Sequence, residues 1–250
     1  MAPAETSVTV MSFNIHHGQG TDGALDLARI ARVIRASGAG IAGLQEVDRN
    51  FAKRSNWTDQ AAELAERLHC HVAYGANIDL NPPAPGRPRI QFGNAVLTRY
   101  PIARWENTHL FRSPGEEQRG LLHVEVDVPG VPLHVYVTHL DAFSETDRVR
   151  QAQQVVQLVG ENCPAVLLGD FNARPQTPEI STLRAALSDT WTAAPGAGPL
   201  APHPDAPAAR IDYIFTSQRL RAAWTRFSTD DPAASDHLPV VSRLASGAGR

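Results

Sequence analysis

Cysteine is nearly missing from these 250 residues: Cys70 and Cys163 are the only two. They form neither a CxxC pair nor a framework of bridges. Nothing therefore points to a disulfide-stapled scaffold or a thiolate metal site, and a reducing compartment or indifference to redox suits the chain. Lysine is scarcer still. Lys53 stands alone, and almost all the positive charge is arginine, which suits local phosphate clamps as well as a soluble surface. A basic excess is also lacking. The formal net charge of -3 is the wrong balance for a protein that grips duplex DNA through many phosphates. No apolar run approaches a membrane span. "MAPAETSVTVMSFN" has no basic stretch followed by an apolar one, so no signal peptide is visible. The cytoplasm is the expected location, with secretion the alternative had a leader been removed.

What is present reads as one α/β domain over residues 1–250, an ordinary size for a single large core. There is no internal repeat and no clear linker. The stretch 192–209, "TAAPGAGPLAPHPDAPAA", reads as a long loop, and 81–93, "NPPAPGRPRIQFG", as a second. Between them strands and helices alternate. "VTVMSF", "IAGLQEV", "GNAVLTRYP", "WENTHLF", "AVLLGDF", "RIDYIF", "LRAAWTRF" and "LPVVSRL" read as strands. "GLLHVEVDVPGVPLHVYVTHL" reads as a hairpin about a Pro-Gly turn. "LDLARIARVIRAS", with Leu27, Ile30 and Ile34 at helical spacing, and "DQAAELAERL" read as helices. "SETDRVRQAQQVVQLV" opens with a capping pattern from Ser144 to Asp147 and is expected to place Val149, Ala152, Val156 and Val159 on one face. Many strands, a few helices and a central hairpin predict mixed sheets with outer helices rather than a purely parallel fold.

The strands end in polar residues. Asn14 closes "VMSFN", Glu46 closes "IAGLQE", and His139 closes "VYVTH" with Asp141 beyond. Asp170 and Asn172 close "AVLLGDFN". Asp212 sits in "IDYIF", and Asp236 and His237 precede "LPVV". Taken singly, each reads more readily as a turn, a cap or a satisfied half-buried group than as a functional residue. Taken together, they form a set of carboxylates and amides, an oxygen donor set that suits magnesium or manganese, beside two histidines. Asp212, among large apolar neighbours, needs a partner to be tolerated. A hard cation, a carboxylate base and two histidines are what phosphoester hydrolysis requires.

The ordered segments "SFNI", "LQEV", "GNAVLTRYP", "THL", "GDFN", "IDYIF" and "SDHLPV" span residues 8–243 and resemble the endonuclease/exonuclease/phosphatase superfamily of metal-dependent phosphoesterases. The resemblance implies a four-layered α/β sandwich, two mixed sheets packed face to face with helices outside. It implies Glu46 and Asp236 as metal-side carboxylates with Asn14 close by, and Asp170 as the residue that orients or deprotonates the attacking water. Asn172 would contact the phosphate beside it. His237, held and charged by Asp212, and His139 would be the phosphate-facing histidines. Two features depart from the superfamily pattern. No glutamate can be assigned to partner His139, as one does in the deoxyribonuclease branch. The abasic-endonuclease tyrosine has no equivalent either, "EEQRGLL" offering only Arg119, which is either a phosphate clamp or a solvated charge at a strand start. Arg49, Lys53 and Arg54 follow Glu46 closely enough to line the substrate mouth.

The expectation is a monomeric, magnesium- or manganese-dependent phosphoric ester hydrolase without a membrane span. Its favoured substrate is a small or lipid-derived phosphoester, phosphodiester or phosphomonoester. A metal-dependent endonuclease or exonuclease acting on DNA or RNA is the alternative within the class. A binding module that kept the fold and lost the chemistry is the alternative outside it.

Overall fold

Apolar runs such as "VTVMSF" and "AVLLGD" are buried along nearly their whole length, because layers cover both faces of their sheets in the computed structural model. The structure describes residues 7–160, 164–195 and 210–246. In chain order the elements are β1 (Ser7–Asn14), α1 (Leu27–Ser37), β2 (Ile41–Arg49), α2 (Gln60–Leu68), β3 (His71–Leu80), β4 (Ile90–Thr98), β5 (Ile102–His109), β6 (Gly120–Val128) and β7 (Val131–His139). There follow α3 (Glu145–Val159), β8 (Ala165–Asp170), α4 (Pro178–Ala186), β9 (Ser188–Asp189), α5 (Thr190–Ala193), β10 (Asp212–Thr216), β11 (Leu220–Phe227) and β12 (Val240–Ser246).

They make two six-stranded sheets, β11-β12-β1-β2-β4-β3 and β5-β6-β7-β8-β10-β9. Each is mixed. β1 runs parallel to β2 and β7 parallel to β8, and the other pairings are antiparallel. Val10, Ile41 and Val96 of the first sheet pack against Val124, Val135 and Leu168 of the second in one inter-sheet core. Outside it, α1 and α2 cover the first sheet through Ile30, Ile34 and Leu64, and α3 and α4 cover the second through Val155, Ile180 and Leu183. These are the four layers of the expected sandwich. Gly43 allows the sheets to approach, since a Cβ there would lie 2.7 Å from Val137 and 2.8 Å from Leu168.

The helices begin where their caps dictate. Asp26, Asp59 and Ser144 accept hydrogen bonds from the backbone N–H groups of Arg29, Ala62 and Asp147. The face of α3 differs from expectation. Its buried stripe is Asp147, Gln151, Ala152, Val155 and Val159, with Val149 and Val156 only half-buried. The rotation has a polar cause. Gln151 accepts from the Asp141 N–H and donates to the Phe111 carbonyl, while Asp147 accepts from Ser113, so buried polar groups of α3 satisfy the loops beneath it. β3, α4, β9 and α5 were not anticipated: Gly75 and Asn77 interrupt the alternation of β3, and β9 and α5 span only two and four residues. β4 starts at Ile90, which trims the loop expected over 81–93. Of the loop expected over 192–209, residues 196–209 lie outside the described residues, as does Cys163.

Candidate functional site

Sheet register brings the site together. Parallel pairing of β7 with β8 sets His139 beside Asp170, and antiparallel β10 begins where β8 ends, so Asp212 also stands opposite Asp170. On the first sheet, Asn14 ends β1 beside Gln45. A β-bulge in β2 between Leu44 and Val47 then turns Glu46, at a left-handed φ of 57°, out of the ladder. Gly169 is required just before Asp170, since a Cβ there would lie 2.7 Å from the Thr138 carbonyl oxygen of β7.

Asp170 is the hub. Its Oδ2 accepts from Asn14 Nδ2 at 3.0 Å and faces His139 Nε2 at 3.5 Å and His237 Nε2 at 3.6 Å. Its Oδ1 accepts from the Asn172 N–H at 2.9 Å, with Asn172 itself at φ 48°. "GDFN" is thus a turn and part of the cluster at once: the turn fixes one carboxylate oxygen and leaves the other facing both histidines. Asn172 Nδ2 lies 3.0 Å from His139 Nε2 and donates to the Leu140 carbonyl at 3.1 Å.

The two histidines are tuned in opposite directions. Burial disfavours a charge on His237, but the Asp212 carboxylate, 2.8 Å from Nδ1, overrides it with help from Asp170 and Asp236. The ring is held well above its ordinary value. His139 is pushed down to about 3, by burial first and then by the Arg119 guanidinium, whose Nη1 donates to its Nδ1 at 3.2 Å. The neighbour at the partner position of His139 is therefore a cation. The Asn172 amide nitrogen stands 3.0 Å from Nε2, so both nitrogens of the neutral ring face donors, with the Asp170 carboxylate 3.5 Å from Nε2. Arg119 is buried rather than solvated, and Glu117 accepts from its Nη1 at 2.9 Å.

On the first sheet's side of the cluster, Asn14 connects the carboxylates. Its Nδ2 donates to Glu46 Oε1 as well as to Asp170, and its Oδ1 accepts from the His16 N–H, each at 3.0 Å. Burial pushes the Glu46 carboxyl up despite that hydrogen bond, and the nearby Asp236 adds to the effect. Asp236 stands at the rim with a side chain 52% exposed, 3.9 Å from His16 Nδ1. A cation would relieve the raised Glu46, so Glu46 and Asp236 fit a divalent metal by charge and by donor chemistry. His17 Nδ1 is buried without a hydrogen-bond partner, 4.0 Å from Glu46 Oε2. His16 and His17, both at positive φ, are the residues that sequence reasoning missed. The adjacent pair in "SFNIHHG" was a visible signal.

The cleft over this cluster has a volume of 290 Å³ and is lined by Glu46, Arg54, Glu117, Arg119, His139, Asp170, Asn172 and His237, with Phe51, Ile78, Phe92 and Ala142 as apolar walls. Arg54 reaches it, but its guanidinium is clamped on both oxygens of Asp48. Arg49 lies outside the lining, 2.8 Å from Asp59 and over the Tyr74 ring. Lys53 is exposed and outside the lining as well.

Three likenesses bear on this arrangement. YbhP of Escherichia coli K12, itself uncharacterised, is 29% identical over 252 residues, covering 95% of this chain and 96% of its own. The crystal structure of an endonuclease/exonuclease/phosphatase from Beutenbergia cavernae superposes with a TM-score of 0.83 at 31% identity, over 96% of this chain and 72% of that one. The fold is shared with a mannosyl-6-phosphatase of Bacteroides thetaiotaomicron, at TM-score 0.69 and 20% identity, over 95% of this chain and 99% of that one. Residues 11–237 match the family model itself, and the chain belongs to the endonuclease/exonuclease/phosphatase family.

Proposed function

We propose that the protein is a divalent-metal-dependent phosphoric ester hydrolase, acting on a small or lipid-derived phosphoester. One observation carries the reading: a single carboxylate oxygen, Asp170 Oδ2, faces two histidines of opposite charge state while Asn14 ties it to Glu46. In this reading Asp170 orients water and takes its proton. His237, kept protonated by Asp212, donates to a phosphoryl oxygen or the leaving group. Neutral His139 faces the phosphate with its Nε2 edge, with Asn172 beside it contacting the phosphate and Arg119 held against Nδ1. Glu46 and Asp236 would hold the metal, which supplies positive charge to the phosphoryl oxygens when bound.

The small substrate is favoured by the fate of the arginines. Arg49, Arg54 and Arg89 are each paired with an aspartate, Asp59, Asp48 and Asp79, so little free positive charge remains there to track a nucleic-acid backbone. Phe51, Ile78 and Phe92 instead wall the cleft with apolar surface.

The test is a panel of bis-p-nitrophenyl phosphate, sugar and inositol phosphates, sphingomyelin, nucleotides and plasmid DNA. Each is offered with magnesium or manganese across a salt titration, with Asp170→Asn as control. Small-substrate turnover that ignores salt and collapses in Asp170→Asn with little change in KM is the expected result. Salt-steep plasmid nicking at low enzyme would promote the nuclease instead.

A further inference from the structure

The face of the second sheet that also carries Tyr136 holds a second group of donors, assembled by register alone. β5, β6 and β7 lie side by side. Glu106, His123 and Tyr136 form one cross-strand row, and Arg104, Glu125 and His134 form the next. His123 and Glu125, two apart on β6, share a face, and His134 stands directly opposite Glu125 and diagonal to His123. His123 Nε2 lies 2.9 Å from His134 Nδ1, and Glu125 Oε1 lies 3.6 Å from that same nitrogen. One donor atom from each of the three residues falls within 4.8 Å of the other two. None of them lines the catalytic cleft.

We propose that His123, His134 and Glu125 form a second metal site, for a borderline divalent cation of the zinc class. Two imidazole nitrogens and one carboxylate oxygen are the donors such ions prefer, and magnesium does not. On a tetrahedral ion with bonds of about 2.0–2.2 Å, neighbouring donors stand roughly 3.3 Å apart. The observed 2.9 and 3.6 Å bracket that spacing, and the third pair, His123 with Glu125, lies within 4.8 Å. The 2.9 Å contact is a hydrogen bond between rings inclined at 19°, so the ion would replace it and both rings would turn to aim their lone pairs at the ion. The surroundings are those of a ligating histidine. Glu106 Oε1 lies 3.5 Å from His123 Nδ1, the nitrogen facing away from the proposed ion, where a carboxylate fixes the tautomer that presents Nε2. Tyr136 stacks on the same ring at 4.3 Å and 7°, which holds its plane.

The competitor is Arg104, which pairs with Glu125 Oε1, but its side chain is 74% exposed and such a pair contributes little. Three protein donors leave the fourth position to water. The ion would cross-link β6 to β7 and, through Glu106, stiffen the attachment of β5.

The experiment is a Zn2+ titration of the metal-stripped full chain by calorimetry, repeated with Co2+ by visible absorption, in excess magnesium. Wild type is compared with His134→Ala and His123→Gln. Wild type should bind one more Zn2+ per chain than either variant, show the intense visible bands of tetrahedral Co2+, and gain melting temperature with zinc where the variants do not. Glu125→Gln, which keeps its shape, should weaken binding at least tenfold and covers the case in which a histidine variant fails to fold. Equal zinc stoichiometry and affinity in wild type and the folded variants would overturn the site, as would the absence of the extra zinc from wild type.

Discussion

Replacing Asp212 by asparagine removes one charge at the start of β10 and leaves the volume almost unchanged. Asp212 Oδ2 accepts from His237 Nδ1 at 2.8 Å, while Oδ1 is buried without a partner. The amide nitrogen of the variant must occupy one of those two places. Opposite His237 it would confront a ring N–H with another donor. In the other place it is an unsatisfied buried donor, costing about 1–3 kcal/mol of stability. In either place the carboxylate that overrides burial of His237 is gone, and the ring loses its reason to stay protonated. If His237 is the proton donor, kcat should fall by roughly 10²–10⁴, about 3–5 kcal/mol of barrier. KM should change little. Asp212 acts through His237, so adding Asp212→Asn to His237→Ala should cost almost nothing further. The assay is kcat and KM on bis-p-nitrophenyl phosphate with saturating metal, alongside circular dichroism and thermal unfolding. A folded Asp212→Asn enzyme keeping more than about a tenth of wild-type kcat would refute the reasoning. So would losses that multiply fully in the double variant.

Three further outcomes follow from the same geometry. Glu46→Gln should raise the magnesium or manganese concentration needed for half-maximal activity, and an unchanged metal requirement would remove Glu46 from the metal side. The folded His139 ring, held down to about 3, refuses a proton that the unfolded chain binds below 6.5, so stability falls as pH drops from 6.5 toward 3. Between pH 6.5 and 5 this group contributes a loss of about 2 kcal/mol. Urea unfolding should show that loss in wild type and not in His139→Gln, and equal pH slopes would contradict the assignment. Gly169→Ala places a methyl 2.7 Å from the Thr138 carbonyl oxygen. It should cost about 1–3 kcal/mol, read as a lowered melting temperature with loss of activity, and a melting temperature unchanged from wild type would count against the close approach of β7 and β8.

The strand ends were legible in the sequence because burial on both faces leaves an apolar run that stops at a polar residue. Asn14, Glu46, His139 and Asp170 could be picked out on that signal, and Asp212 by its large apolar neighbours, since both features are local. The helix start at Ser144 was equally local, its side chain satisfying an N–H three residues on, as Asp26 and Asp59 also do for α1 and α2. The pairings were not. Asn14 meets Asp170 across 156 positions, and Asp212 meets His237 across 25, only because the two sheets pack face to face, which sets the end of β1 and the start of β12 against the end of β8 and the start of β10. Arg49 and Arg54 look interchangeable in "DRNFAKRSN". Packing sends one to Asp59 outside the cleft and the other to its wall. Arg119 became the partner of His139 because it is the guanidinium that folding buries against that ring. A residue's type and its place on a strand are written in the chain, whereas the charge it faces depends on the register of strands that are distant in sequence, and that is set only when the two sheets close on their common core.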